Sequence, residues 1–284
     1  MQIAAREGDA APVKLAAQQF GSGPDLILVH GLGANRAFWY PRLASALAES
    51  FSVTIYDLRG HGYSDMPPSG YSTTAMAHDL LALMDARGIA RAALVGHSYG
   101  GAIALEAAAA QPARFTHLCL MDTRVQRLQP ELRLRDIDAL TPFERAVAAH
   151  DGGDWQDDPE IGFRFLEAAA RCVVDGIDLG VRDAFTPFGE GRGAKRAARA
   201  WLRLLDETSA RTEFTTPGVA TDILGALRLP MLLMYAGHSR ALRSGEQLAA
   251  LLPHARWQRI AGGGHFFPVS HVAETLAELR DFLR

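Results

Sequence analysis

The chain has 284 residues, 48% of them hydrophobic, and a formal net charge of −3. That length accommodates one large α/β domain or a domain carrying an insertion, with enough apolar residues for a substantial core. The near-neutral charge gives no argument for nucleic acid or an anionic membrane as partner. No apolar run approaches the ~20 residues of a membrane span.

Residues 1–7 carry charge where a secretory signal needs its apolar core, so a soluble, cytoplasmic protein is expected. Residues 13–20 and 26–29 read as strands, split by the turn at 21–25. The second, Leu26-Ile27-Leu28-Val29, is continuously apolar, as a strand buried on both faces of a parallel sheet should be. It runs into His30-Gly31-Leu32-Gly33-Ala34-Asn35, whose glycines let the loop bring its backbone close to another group. A helix over 41–48, a strand over 52–56 and a helix over 72–87 follow, the last stopped by Gly88. Strands and helices alternating at this spacing predict a doubly wound, mostly parallel sheet.

Residues 92–95 form a short buried strand, and 100–110 are almost pure helix former. Between them stands Gly96-His97-Ser98-Tyr99-Gly100. Gly-x-Ser-x-Gly at a strand-to-helix turn is a nucleophile elbow, which exposes the serine hydroxyl at the edge of the sheet. The helix dipole lies behind it. A strand over 115–121 ends at Asp122. From 124 to 227 the alternation stops, and helical segments are broken at Thr141-Pro142, Asp151-Gly152-Gly153, Thr186-Pro187 and a loop over 189–193. That stretch is expected to be a helical cap, dividing the chain into 1–123, 124–227 and 228–284. Alternation resumes with a strand over 231–235, a helix over 244–252 and a strand over 255–260. The loop Gly262-Gly263-Gly264-His265 and an amphipathic helix over 272–283 close the chain. Cys119 and Cys172 lie in apolar stretches without metal-type spacing and read as buried free thiols.

Four features in this order resemble the α/β-hydrolase family: His30-Gly31, the Asp57-x-Arg59-Gly60-x-Gly62-x-Ser64 loop, the elbow, and Gly264-His265. They cover most of the chain outside the expected cap. A serine needs a base within hydrogen-bond reach. The resemblance implies that His265 is that base, and its glycine-rich loop after a strand lets it lean over the sheet edge. His97 lies in the elbow with its side chain expected to point away from that of Ser98. His238 is the rival base.

In most members the acid that orients the histidine follows the strand after the cap. Here that loop, Ala236-Gly237-His238-Ser239-Arg240-Ala241-Leu242, has no carboxylate. A strand–helix–strand unit crosses over right-handed and ends both strands on the same sheet edge. Asp122 is therefore expected at the catalytic edge, one or two strands from Ser98. A minority of the family carries its acid there. The chain is similar to the bacterial (acetamidomethylene)succinate hydrolase-like enzymes, with Gly237-His238-Ser239-Arg240 where the aspartate is missing. The alternative is that Asp122 caps a loop and Ser98–His265 acts as a dyad, or does not act.

The family pattern and the glycine placement imply an oxyanion hole made by the backbone N–H groups of Tyr99 and Leu32. Asp57 and Arg59 are expected to brace the sheet edge. Phe38 and Trp39, with Tyr40, either wall a substrate pocket or belong to the core beneath the cap. Arg124 is the arginine expected to face the pocket. Arg127, Arg171, Arg182, Arg192, Arg196, Arg199 and Arg203 read mainly as a solvated helical face.

The resemblance therefore implies a serine hydrolase, free of cofactor and metal, acting on a small ester, amide, thioester or lactone, as a monomer or homo-oligomer. Carbon–carbon bond hydrolysis or lyase chemistry on the same residues, and a non-catalytic ligand-binding role on the same scaffold, are the alternatives.

Overall fold

The computed structural model describes residues 2–3, 13–137, 140–181, 187–188 and 191–284. At its start β1 (Gln2–Ile3) pairs antiparallel with β2 (Val13–Lys14). The main sheet is laid down by β3 (Ala17–Phe20), β4 (Asp25–Val29), β5 (Ser52–Tyr56), β6 (Ala92–His97), β7 (Phe115–Met121), β8 (Met231–Ala236) and β9 (Arg256–Ile260). Its order is β3-β5-β4-β6-β7-β8-β9. Every neighbouring pair is parallel except β3 with β5. The chain thus has the doubly wound, mostly parallel α/β architecture that its alternation predicts.

Helices α1 (Arg42–Leu47), α2 (Thr73–Ala86) and α3 (Tyr99–Ala110) fill the connections from β4 to β7. Between β7 and β8 come α4 (Pro142–Asp151), α5 (Ile161–Asp175), α6 (Arg192–Glu207), α7 (Ala210–Glu213) and α8 (Thr221–Ala226). Helix α9 (Leu242–Leu251) joins β8 to β9, and α10 (Phe267–Ser270) and α11 (Val272–Phe282) follow.

The apolar strand runs are explained by two cores, one on each face of the sheet. Successive strand side chains point to opposite faces. Ile27, Val29, Leu94, Leu118, Leu120 and Leu233 join one core, with α2, α3 and the helices between β7 and β8. Leu26, Leu28, Val95, Cys119, Met121 and Leu232 join the other, with α1 and α11. All twelve are fully buried. Each leucine so placed contributes about 2 kcal/mol by leaving water, which is why the central strands tolerate no polar alternation.

Local signals set the helix ends. Ser72 accepts a hydrogen bond from the Ala75 amide at the start of α2. Thr141 and Glu144 form a reciprocal capping box at α4, with Pro142 in the first turn, and Gly152 ends that helix at φ 68°. One expectation needs adjustment, and one element was not foreseen. Helix α6 begins at Arg192, inside the stretch read as a loop over 189–193; residues 189–190, like Thr186, lie outside the described residues. The short helix α10 directly after His265 has no apolar period to announce it. Among the described residues no helix is long and apolar enough to cross a membrane.

Candidate active site

Strand β6 and helix α3 meet at Ser98, whose backbone sits at φ 55° and ψ −124°. A non-glycine residue held there is strained by about 1–3 kcal/mol and persists only where its surroundings force it. The flanking glycines leave room for the close packing that holds it. A Cβ on Gly96 would lie 2.4 Å from the Gly100 carbonyl oxygen, and one on Gly100 would lie 2.4 Å from the Val29 and His30 carbonyl oxygens. The Ser98 amide donates to the Met121 carbonyl at 2.9 Å, tying the elbow to β7. Its hydroxyl caps no helix amide and is left to reach His265.

Strands β6 and β7 are neighbours with His97 opposite Met121, so the residue after each strand emerges side by side. Those residues are Ser98 and Asp122. Asp122 is fully buried, with a left-handed backbone at φ 48°. Its Oδ1 accepts the Ala236 amide at 2.9 Å, and its Oδ2 lies 2.8 Å from His265 Nδ1. Burial opposes its charge, but the bonds from His265, the Ala236 amide and the Ser239 hydroxyl outweigh that and hold its carboxyl below the usual aspartate range. An ionised carboxylate fixes the His265 tautomer, with the proton on Nδ1 and the Nε2 lone pair facing Ser98 Oγ at 3.1 Å. The loop after β8 carries no acid; the end of β8 supplies the Ala236 amide, and the loop the Ser239 hydroxyl, to an acid that follows the neighbouring strand. His238 is not needed as a base, and its amide donates to Gly263 in the His265 loop.

The other histidines shape loops. His97 Nε2 donates to the His265 carbonyl oxygen at 2.8 Å, and its ring stacks on Phe38 at 4.7 Å. Burial lowers its pKa to about 3, so it stays neutral. His30 accepts the Leu58 amide through Nε2, so its Nδ1–H donates to the Gly31 carbonyl. His61 likewise accepts the Gly33 amide through Nε2 and donates to the Arg59 carbonyl. These two hold the loop that carries Leu32. The amides of Leu32 and Tyr99 meet no acceptor among the described residues, and both residues line the cavity that contains Ser98. Asp57 and Arg59 stand away from that cavity. Asp57 binds Arg36 and the Tyr63 amide, and Arg59 forms a two-pronged pair with Asp79 at 2.6 Å on each side.

The cavity and the open solvent at its mouth together take up about 1230 Å³. Core residues such as Leu32, Phe38 and Ala102 face Phe163, Leu166 and Phe214 from the helices between β7 and β8. Phe38 and Trp39 part company here. Phe38 lines the cavity, whereas Trp39, in edge-to-face contact with it at 5.0 Å, packs, 1% exposed, into the core beneath α1. Trp39 is therefore a core residue and not a pocket wall, and Tyr40 is mostly exposed. Arg124 does line the cavity, but its guanidinium is engaged by Glu160 at 2.6 and 2.9 Å and by the Gln129 and Pro130 carbonyls. Arg171 and Arg203 are surface residues paired with glutamates one turn away; Arg182 and the Arg192 side chain lie outside the described residues. Glu106, the contacts of Ser239 and His97, and the pairing of Arg240 with Glu144 are the site features that the sequence did not announce.

Residues 24–272 match the model of the alpha/beta hydrolase fold family, and the chain belongs to that family. Among its relatives, a putative carbamate hydrolase RutD of Variovorax paradoxus is 30% identical over 270 residues, covering 92% of each chain. The 2-(acetamidomethylene)succinate hydrolase of Mesorhizobium japonicum is 27% identical over 284 residues, covering 98% of this chain and 94% of that one. The solved structure of Est816, described as an N-acyl homoserine lactone degrading enzyme, superposes with a TM-score of 0.69 at 20% identity, covering 99% of this chain and all of the other.

Proposed function

We propose that the chain is a cofactor-independent serine hydrolase that cleaves a small ester, amide, thioester or lactone through an acyl-enzyme. One observation carries the reading: a single imidazole, His265, lies 2.8 Å from a buried carboxylate and 3.1 Å from a strained serine, inside a largely apolar cavity. The name of the Variovorax relative, a putative carbamate hydrolase, supports a carbonyl substrate bonded to a heteroatom.

Ser98 Oγ adds to the carbonyl carbon while its proton passes to His265 Nε2. Ionised Asp122 stabilises the resulting imidazolium and keeps it oriented. The oxyanion is received by the Leu32 and Tyr99 amides, the latter at the positive end of α3. His265 then gives its proton to the leaving oxygen, nitrogen or sulfur as the bond to the carbonyl carbon breaks. In the second half His265 takes a proton from water, the hydroxide adds to the acyl carbon, and Ser98 departs with the proton returned. The test is hydrolysis of a panel of small acyl esters and amides by the protein and by its Ser98→Ala and His265→Ala variants. Each variant should lose about 10⁶-fold in kcat, since residues of such a unit fail together. Turnover that survives Ser98→Ala would overturn the reading.

A further inference from the structure

Ser98 is the N-cap of α3, and the cavity runs along that helix. Tyr99, Ala102, Leu105 and Glu106 line it, a stripe at helical spacing. Glu106 is eight residues beyond Ser98, about 12 Å at 1.5 Å per residue. It therefore lines the cavity well away from the serine.

Glu106 is only 9% exposed. Its Oε1 accepts the Thr73 hydroxyl at 3.1 Å, and the Thr74 hydroxyl and Val219 amide also face the carboxyl. The loop over it fits closely. A Cβ on Gly218 would fall 2.5 Å from Oε1, and the residue has φ +69°, so only glycine lets the chain close there.

Five ionic side chains line the cavity: Glu106, Glu144, Glu160, Arg124 and Arg240. Four of them cancel as Arg124–Glu160 and Arg240–Glu144. Glu106 makes no ion pair among the described residues. Arg127 is felt there, but it spends Nε and Nη2 on the Val219 and Gly218 carbonyls. Burial pushes the Glu106 carboxyl up against the pull of its hydrogen bonds. A buried carboxylate with no cation in direct contact gains by receiving one, which keeps it ionised at less desolvation cost.

We propose that Glu106 is a specificity residue that receives a protonated amine, carried on the substrate at the end remote from its scissile carbonyl. The proposal deepens the serine-hydrolase reading and rests on it for the position of the carbonyl. A substrate with a second carboxylate at that end is disfavoured for the same reason.

Two experiments test this. The first compares kcat/KM for two p-nitrophenyl esters of equal length, their acyl chains ending in an ammonium or a methyl group. The protein should prefer the ammonium ester, and Glu106→Gln should reduce that preference by about thirtyfold or more, as expected when one partner of a buried charge pair is removed. The second measures binding to Ser98→Ala by calorimetry, with decylammonium against decanoate as probes. Decylammonium should bind, decanoate should not, and the double variant Ser98→Ala/Glu106→Gln should lose decylammonium. An ester ratio unchanged by Glu106→Gln, or decanoate binding as tightly as decylammonium, overturns the Glu106 proposal and leaves the serine chemistry standing. Failure of both esters together with Glu106-dependent decylammonium binding overturns the serine reading and leaves the amine site standing.

Discussion

Replacing Asp122 with asparagine probes the arrangement most sharply, because the environment dictates how the new amide must sit. Oδ1 of Asp122 accepts the Ala236 N–H at 2.9 Å, so the asparagine must present its oxygen there. Its NH₂ then faces His265 Nδ1, where the carboxylate oxygen lay at 2.8 Å. Two donors cannot face each other, so His265 is driven to carry its proton on Nε2. A proton on Nε2 removes the lone pair that Ser98 needs. A wrong-tautomer substitution of this kind lowers kcat about 10⁴-fold with the geometry intact. At 1.36 kcal/mol per tenfold, that is about 5 kcal/mol of transition-state stabilisation. The assay is steady-state ester hydrolysis, with thermal unfolding to show that the variant folds. An Asp122→Asn protein within tenfold of the parent would refute the argument.

The same residue predicts a pH dependence of stability. Its folded pKa is depressed, so its contribution is fully present above the unfolded value of about 3.9 and is lost as pH falls through the lower folded value. The Tm gap between the parent and Asp122→Asn should therefore be constant above about pH 5 and shrink below about pH 4. His97→Phe keeps a ring against Phe38 but removes the donor to the His265 carbonyl, so kcat should fall about tenfold with KM little changed. Asp79→Ala leaves the Arg59 guanidinium buried without its partner and should cost about 3–5 kcal/mol in denaturant unfolding. Glu213 accepts the Gly70, Tyr71 and Ser72 amides ahead of α2, and Glu213→Ala should cost about 2–3 kcal/mol by the same measurement.

What was legible in the sequence follows from what is contiguous in it. The elbow is five residues in a row, so strand, strained serine and helix could be read together. The sheet was legible because buried parallel strands must be apolar on both faces, as Leu26 to Val29 are. Asp122 required one further step, the handedness of the crossover, and it directly follows β7, the strand beside the one that leads into Ser98. Contacts between distant loops carry no such signal. The Ser239 hydroxyl reaches Asp122, and the His97 ring reaches the His265 carbonyl, only because sheet order brings four loops to one edge. Phe38 and Trp39 show the same limit at short range. The two rings touch, yet Phe38 lines the cavity while Trp39 is wholly in the core, and no period distinguishes them. The pairing of Arg124 with Glu160 and of Arg240 with Glu144 depends on how α4 and α5 sit over the sheet, which composition does not encode.

The account's central claim is that Ser98 is an activated nucleophile. Its most direct measurement is the intact mass after treatment with a small fluorophosphonate, followed by mapping of the modified peptide, with Ser98→Ala as control. The account predicts a single adduct, located on Ser98 and absent from the variant. No adduct after prolonged treatment, or an adduct of equal yield in Ser98→Ala, would contradict it.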